Sequence, residues 1–149
     1  MKSLIRPLFS LIFPFLKIYW SVFKPKSLGS AVIIQADDEI LLVKNSYGSL
    51  KWALPGGFVK SNESPEEAAK REVYEEVGVR LSNLSRVGSF QRNFFGRKDT
   101  VWVFKSLAAT KYIKSENLEI QETNWAKIGS LPGNLSSYTE EALKLSNLV

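Results

Sequence analysis

The clearest periodicity in the chain lies between residues 64 and 79. Ala69, Val73 and Val77 fall at i, i+4 and i+8, one apolar stripe on a helix whose other faces are charged. Ser64 with Glu67 spells a capping box, Pro65 suits the first helical position, and Gly78 sits where a left-handed closing residue belongs. The pattern predicts a helix over Pro65–Val77. Elsewhere the apolar runs are β-branched. Ser30–Gln35 and Ile40–Lys44, with Asp37-Asp38-Glu39 between them, predict a hairpin. Trp52–Leu54 predicts a short strand stopped by Pro55-Gly56-Gly57, and Val87–Asn93 and Thr100–Leu107 predict two more strands joined across Gly96–Asp99. Leu118–Ile128 reads as extended, and Thr139–Leu148 as a closing amphipathic helix. Strands and helices mix without strict βαβ alternation, which predicts an α/β or α+β domain with a mixed sheet covered by helices.

Residues 4–23 break this picture. They are apolar and aromatic, with Phe9, Phe13, Phe15, Tyr19, Trp20 and Phe23. Placed on a helix, Ser3, Arg6, Ser10, Lys17, Ser21 and Lys24 form one narrow polar stripe. Three readings compete: a helix lying in a membrane interface, a helix packed on its own domain or in a homodimer, and a spanning or signal segment. Leu8–Phe23 is shorter than the roughly 20 residues of a spanning helix and contains Pro14 and Lys17, and no small-x-small cleavage site follows. Lys24-Pro25-Lys26-Ser27 reads as a linker. The expected organisation is an amphipathic segment and linker at 1–26 and one globular domain at 27–149, because 149 residues leave room for one sizeable core.

Charge sharpens that division. The chain carries a net +5, and residues 1–26 hold Lys2, Arg6, Lys17, Lys24 and Lys26 with no acid, so the domain itself is formally neutral. A neutral domain is not the footprint of a nucleic-acid duplex binder. Two absences narrow the chemistry. The chain has no Cys and no His, which removes disulfides, thiol nucleophiles, imidazole bases and Cys- or His-ligated metals. Any metal must be bound by oxygen, which suits Mg²⁺ or Mn²⁺.

The oxygen ligands are concentrated on the predicted helix. Glu72, Glu75 and Glu76 share a stripe about 100° wide. Like-charge neighbours cost a few tenths of a kcal/mol each, and a divalent cation would turn that repulsion into ligation. An acidic helix is ordinarily just a solvated face. Here it is part of a longer pattern: Gly57, Glu63, Arg71-Glu72-Val73, Glu75-Glu76 and Gly78-Val79 match every specified position of the Nudix box.

The chain thus resembles the Nudix hydrolases over roughly residues 29–148, with Trp52-x-Leu54-Pro55-Gly56-Gly57 and Trp125 among the similar flanks. The resemblance implies a Nudix-type α/β/α sandwich with a mixed β-sheet, here preceded by the apolar, basic N-terminal helix. It implies a Mg²⁺-dependent hydrolase, with Mn²⁺ as a substitute, cleaving a diphosphate linkage in a nucleoside diphosphate joined to another moiety. The alternative is a non-catalytic nucleotide-binding module on the same scaffold, membrane-associated or not. Carried over to this sequence, Glu72, Glu75 and Glu76 are the metal ligands, and Arg71 orients them. The general base is a glutamate outside the box, Glu119 ahead of Glu122 and Glu116. Gly57, Trp52 and Arg92 are the expected substrate contacts, Trp52 by stacking and Arg92 by meeting a phosphate, with Tyr47, Phe90, Phe94 and Phe95 as further aromatics. The expected location is the cytoplasm, at the inner membrane face if residues 4–23 dock there.

Overall fold

The computed structural model describes residues 12, 15, 18, 26–46, 49–94, 97–108, 110–113 and 119–149. The elements run β1 (Lys26–Ala36), β2 (Glu39–Asn45), β3 (Trp52–Ala53), β4 (Gly56–Phe58), α1 (Pro65–Val77), β5 (Ser85–Phe94), β6 (Arg97–Leu107), β7 (Ile120–Lys127), a 3₁₀ turn (Ile128–Ser130) and α2 (Ser137–Leu145). Among the described residues the strands form one sheet ordered β3-β2-β1-β6-β5, with β4 also pairing β1 and β7 pairing β2. β1 runs parallel to β6 and antiparallel to β2 and β4, so the sheet is mixed.

The two-residue period of the strands sends alternate residues to opposite faces, and both faces are covered. Val32, Ile34, Leu41 and Val43 pack against Ala69, Val73 and Val77 of α1. Ala31, Ile33, Ile40 and Leu42 pack against Ala142 and Leu143 of α2. This is the expected α/β/α sandwich, and it explains why β1 and β2 read as unbroken apolar runs. Helix α1 has the capping box of Ser64 and Glu67, and Gly78 closes it at φ 71°. Burying Val73 and Val77 contributes about 1.5–3 kcal/mol each, well above the few tenths lost per like-charge glutamate pair. Packing therefore holds the acidic edge of α1 in place.

Four boundaries depart from the sequence pattern. Lys26 and Ser27, expected in a linker, belong to β1 because they pair with Lys98 and Asp99 of β6. Arg97–Asp99 leave the expected turn and join β6 because they pair with Arg92–Phe94 of β5, and Lys98 and Asp99 pair with β1 as well. Gly56-Gly57-Phe58, expected to end a strand, forms β4 against Gly29–Ala31. Helix α2 begins two residues early, where the Ser136 hydroxyl caps the Thr139 amide, and stops at Leu145.

The expected N-terminal helix lies mostly outside the described residues. Ile12, Phe15 and Ile18 are helical, with exposures of 44, 71 and 64%. No helix among the described residues is long and apolar enough to cross a membrane.

Candidate active site

Arg71 is the hub of the acidic edge. Its Nε and Nη2 grip both oxygens of Glu63, its Nη1 donates to Glu72 at 2.7 Å and to Glu75 at 3.3 Å, and its Nη2 reaches the Phe58 carbonyl at 3.0 Å. The forked pair with Arg71 holds the Glu63 carboxyl down to about 2, helped by the Lys60 amide. The guanidinium is raised above its usual value, chiefly by the bond to Glu63. One side chain of α1 thus ties the loop before the helix, the β4 backbone and two of its own carboxylates into one unit.

Glu76 behaves differently. Only 7% exposed, it accepts the Gly56 amide at 2.9 Å. Burial pushes its carboxyl up to about 8, against the pull of the Gly56 bond, and the charges of Glu72, Glu119 and Glu75 push further. Glu119, one residue before β7, is near enough for its charge to act on Glu76. Its carbonyl is pinned there by the Ser46 amide at 2.7 Å and the Ser46 hydroxyl at 3.1 Å.

The two glycines of β4 are required for different reasons. Gly56 has φ 148°, and a Cβ there would lie 2.1 Å from the Ser30 carbonyl oxygen. A Cβ on Gly57 would lie 2.4 Å from the Glu72 Cδ. The group that comes close to Gly57 is the Glu72 carboxylate.

The family model for the NUDIX domain matches residues 26–145. The chain belongs to the NUDIX domain family. Similar proteins include the "Putative 8-oxo-dGTP diphosphatase" of Bacillus subtilis (strain 168), 34% identical over 101 residues covering 68% of this chain and 66% of that one. Diphosphoinositol polyphosphate phosphohydrolase 3-alpha of Mus musculus is 41% identical over 70 residues, 47% of this chain and 42% of that one. The match thus spans less than two thirds of either relative. Among solved structures, a MutT NUDIX hydrolase from Burkholderia pseudomallei superposes with a TM-score of 0.74 at 26% identity, covering 80% of this chain and 97% of that one.

NUDIX proteins use divalent metal cations. Here, no three Asp or Glu side chains among the described residues converge as a ready-made cage. Glu72 and Glu75 turn toward Arg71, and Glu76 toward the Gly56 amide. The donor set still fits a hard cation. It is all oxygen, and Glu76 lies where the charges of three other carboxylates already act on it.

The other expected residues scatter. Trp52 is 8% exposed in the α2-side core, with the Lys44 ammonium 4.2 Å from its ring centroid. Phe90 packs on the same core. Glu122 faces Lys44 at 2.7 Å across β2 and β7. Glu116, Tyr47 and Phe95 lie outside the described residues, as does the Phe94 side chain. Arg92 lines a cavity of about 190 Å³ beside β4, but is paired there with Asp99 at 3.5 Å. The sequence reading missed Ser30, Asn45, Asp99 and Tyr138 in that cavity. They come from four separate elements, and no spacing in the sequence relates them.

Proposed function

We propose that this NUDIX domain hydrolyses a diphosphate linkage in a nucleoside diphosphate joined to another moiety, with Mg²⁺ and, in its place, Mn²⁺. The observation that carries the reading is the gathering of Glu72, Glu75 and Glu76 on one buried-backed helix edge, with the Glu119 charge acting on Glu76. These carboxylates would hold the cation. When bound, it supplies charge neutralisation to the diphosphate oxygens and Lewis acidity toward water. Arg71 positions Glu72 and Glu75 while Glu63 fixes Arg71. Gly57 leaves room for the Glu72 carboxylate beside β4. Glu119 is the assigned general base: it takes a proton from the attacking water as the water oxygen bonds phosphorus and the P–O bridge breaks.

The test is a hydrolysis screen of nucleotides and nucleotide sugars with Mg²⁺ and Mn²⁺. Turnover that stops with a chelator and in folded Glu76→Gln is expected. A folded wild type that stays inert across the screen overturns the reading. A nucleotide that raises the melting temperature without being cleaved points to a binding module.

We also infer that residues 4–23 dock on the inner face of an anionic membrane, which places the protein peripherally in the cytoplasm. Exposed Ile12, Phe15 and Ile18 support this, because they are apolar and lie outside the polar stripe on a segment with bases and no acids. Co-sedimentation with vesicles containing phosphatidylserine is expected, and its loss when all three become Asp. Binding that survives those substitutions, or a concentration-dependent dimer without binding, overturns it.

A further inference from the structure

The cavity is lined in part by Gly56, Gly57 and Phe58 of β4, the residues that Glu76, Glu72 and Arg71 of the acidic helix meet. A substrate whose diphosphate sits at the carboxylates therefore places its other end here. The cavity's charge is what distinguishes it. Among the described residues lining it, the cation is Arg92 and the anion is Asp99, so the lining sums to zero. The pair is close and sheltered: Arg92 Nε is 3.5 Å from one Asp99 oxygen, and the Ser27 hydroxyl donates to the other. Asp99 is 4% exposed. Its charge thus stays aimed at Arg92 instead of being dispersed in water.

The polar atoms have a bias as well. The Asn45 Oδ1 and the Ser30 Oγ are buried without a hydrogen-bond partner. Asn45 Oδ1 can only accept, so it calls for an N–H or O–H donor on the ligand. The half-buried Tyr138 ring, fixed by its hydroxyl bond to the Leu54 carbonyl at 2.7 Å, and the exposed Phe58 ring supply flat apolar surface. A phosphorylated ring would bring anionic oxygens to acceptors and to a cation already neutralised.

Resting on the diphosphohydrolase reading, we propose that Asp99 determines specificity. By neutralising Arg92 it makes the cavity a receptor for an uncharged, donor-bearing ring of the nucleobase kind, and rejects a moiety carrying further phosphates. Asp99 touches the non-reacting end of the substrate. Its replacement therefore changes the choice between substrates, which a purely structural role for the Ser27–Asp99 link would not.

The experiment compares kcat/KM of the full chain, with Mg²⁺, for the four deoxynucleoside triphosphates and for diphosphoinositol pentakisphosphate. The best nucleotide is expected to exceed the inositol substrate by at least about 100-fold, the scale of one unmatched buried charge. Asp99→Asn, which unmasks Arg92, should shrink that ratio about tenfold or more, and Asp99→Glu should restore it. If Asp99→Asn fails to fold, Arg92→Gln serves instead and should widen the ratio. A wild type that prefers the inositol substrate, or a folded variant whose ratio does not move, overturns this specificity assignment while leaving the hydrolase reading intact. Absence of turnover on every substrate of the wider screen overturns both.

Discussion

Adjacent glycines in β4 should fail in two different ways when replaced by alanine. In Gly57→Ala the new Cβ meets the Glu72 Cδ at 2.4 Å and its two oxygens at 2.6 and 2.7 Å. Ordinary contact begins near 3.4 Å, so the carboxylate must retreat by about 1 Å. That breaks the 2.7 Å bond from Arg71 Nη1, between side chains only 20% and 17% exposed. The lost bond costs about 1–2 kcal/mol, a melting-temperature drop of roughly 3–8 °C. Displacing a ligand carboxylate by that distance should cost about 100-fold in kcat/KM. In Gly56→Ala the obstacle is backbone. The Cβ would sit 2.1 Å from the Ser30 oxygen at φ 148°, and the 2.9 Å amide bond to Glu76 shifts with it. No side chain can swing away, so the cost should exceed about 4 kcal/mol. Differential scanning calorimetry and steady-state kinetics on both variants separate the cases. Wild-type kcat/KM in Gly57→Ala would refute the placement of Glu72 at the reacting centre. Equal destabilisation of the two variants would make Gly57 merely structural.

Three further outcomes are expected. Glu119→Gln should lower kcat about 100-fold or more, whereas Glu122→Gln should stay near wild type, since its pair with Lys44 is half exposed; the reverse result reassigns the base. Glu63 has a folded carboxyl near 2 against an ordinary 4.5, so its stabilisation is complete above pH 4.5 and is lost as pH falls toward 2. Thermal melts from pH 5 to pH 2 should therefore converge for wild type and Glu63→Gln, and parallel curves would contradict the pairing with Arg71. Ser64→Ala removes one half of a formed capping box and should cost about 1 kcal/mol with turnover unchanged, measured by urea titration and the same kinetic assay.

Much of the acidic helix was legible in the sequence, because its signals are local. The Ser64–Glu67 box, Gly78 and the Ala69–Val73–Val77 stripe lie within one element, where 3.6 residues per turn convert spacing into direction. The strand cores were legible for the same reason, with a period of two. The lack of Cys and His fixed the ligand chemistry as oxygen before any coordinates. Strand ends were not legible. Lys26, Ser27 and Arg97–Asp99 are polar and turn-like, and only pairing with other strands makes them strand. Nor was the packing of Trp52: an aromatic beside a glycine loop reads as a stacking candidate, and only the sheet shows that it packs in the core.

The sequence by itself therefore determined one amphipathic helix, its caps, its carboxylate edge and the class of metal that edge suits. The tertiary structure decided what each charged group faces. Arg71 and Glu63 meet across a loop, Ser27 and Asp99 meet across 72 positions, and Arg92 is committed to Asp99 by the β5–β6 register. These pairings depend on register and chain closure, which no periodicity within a single element encodes.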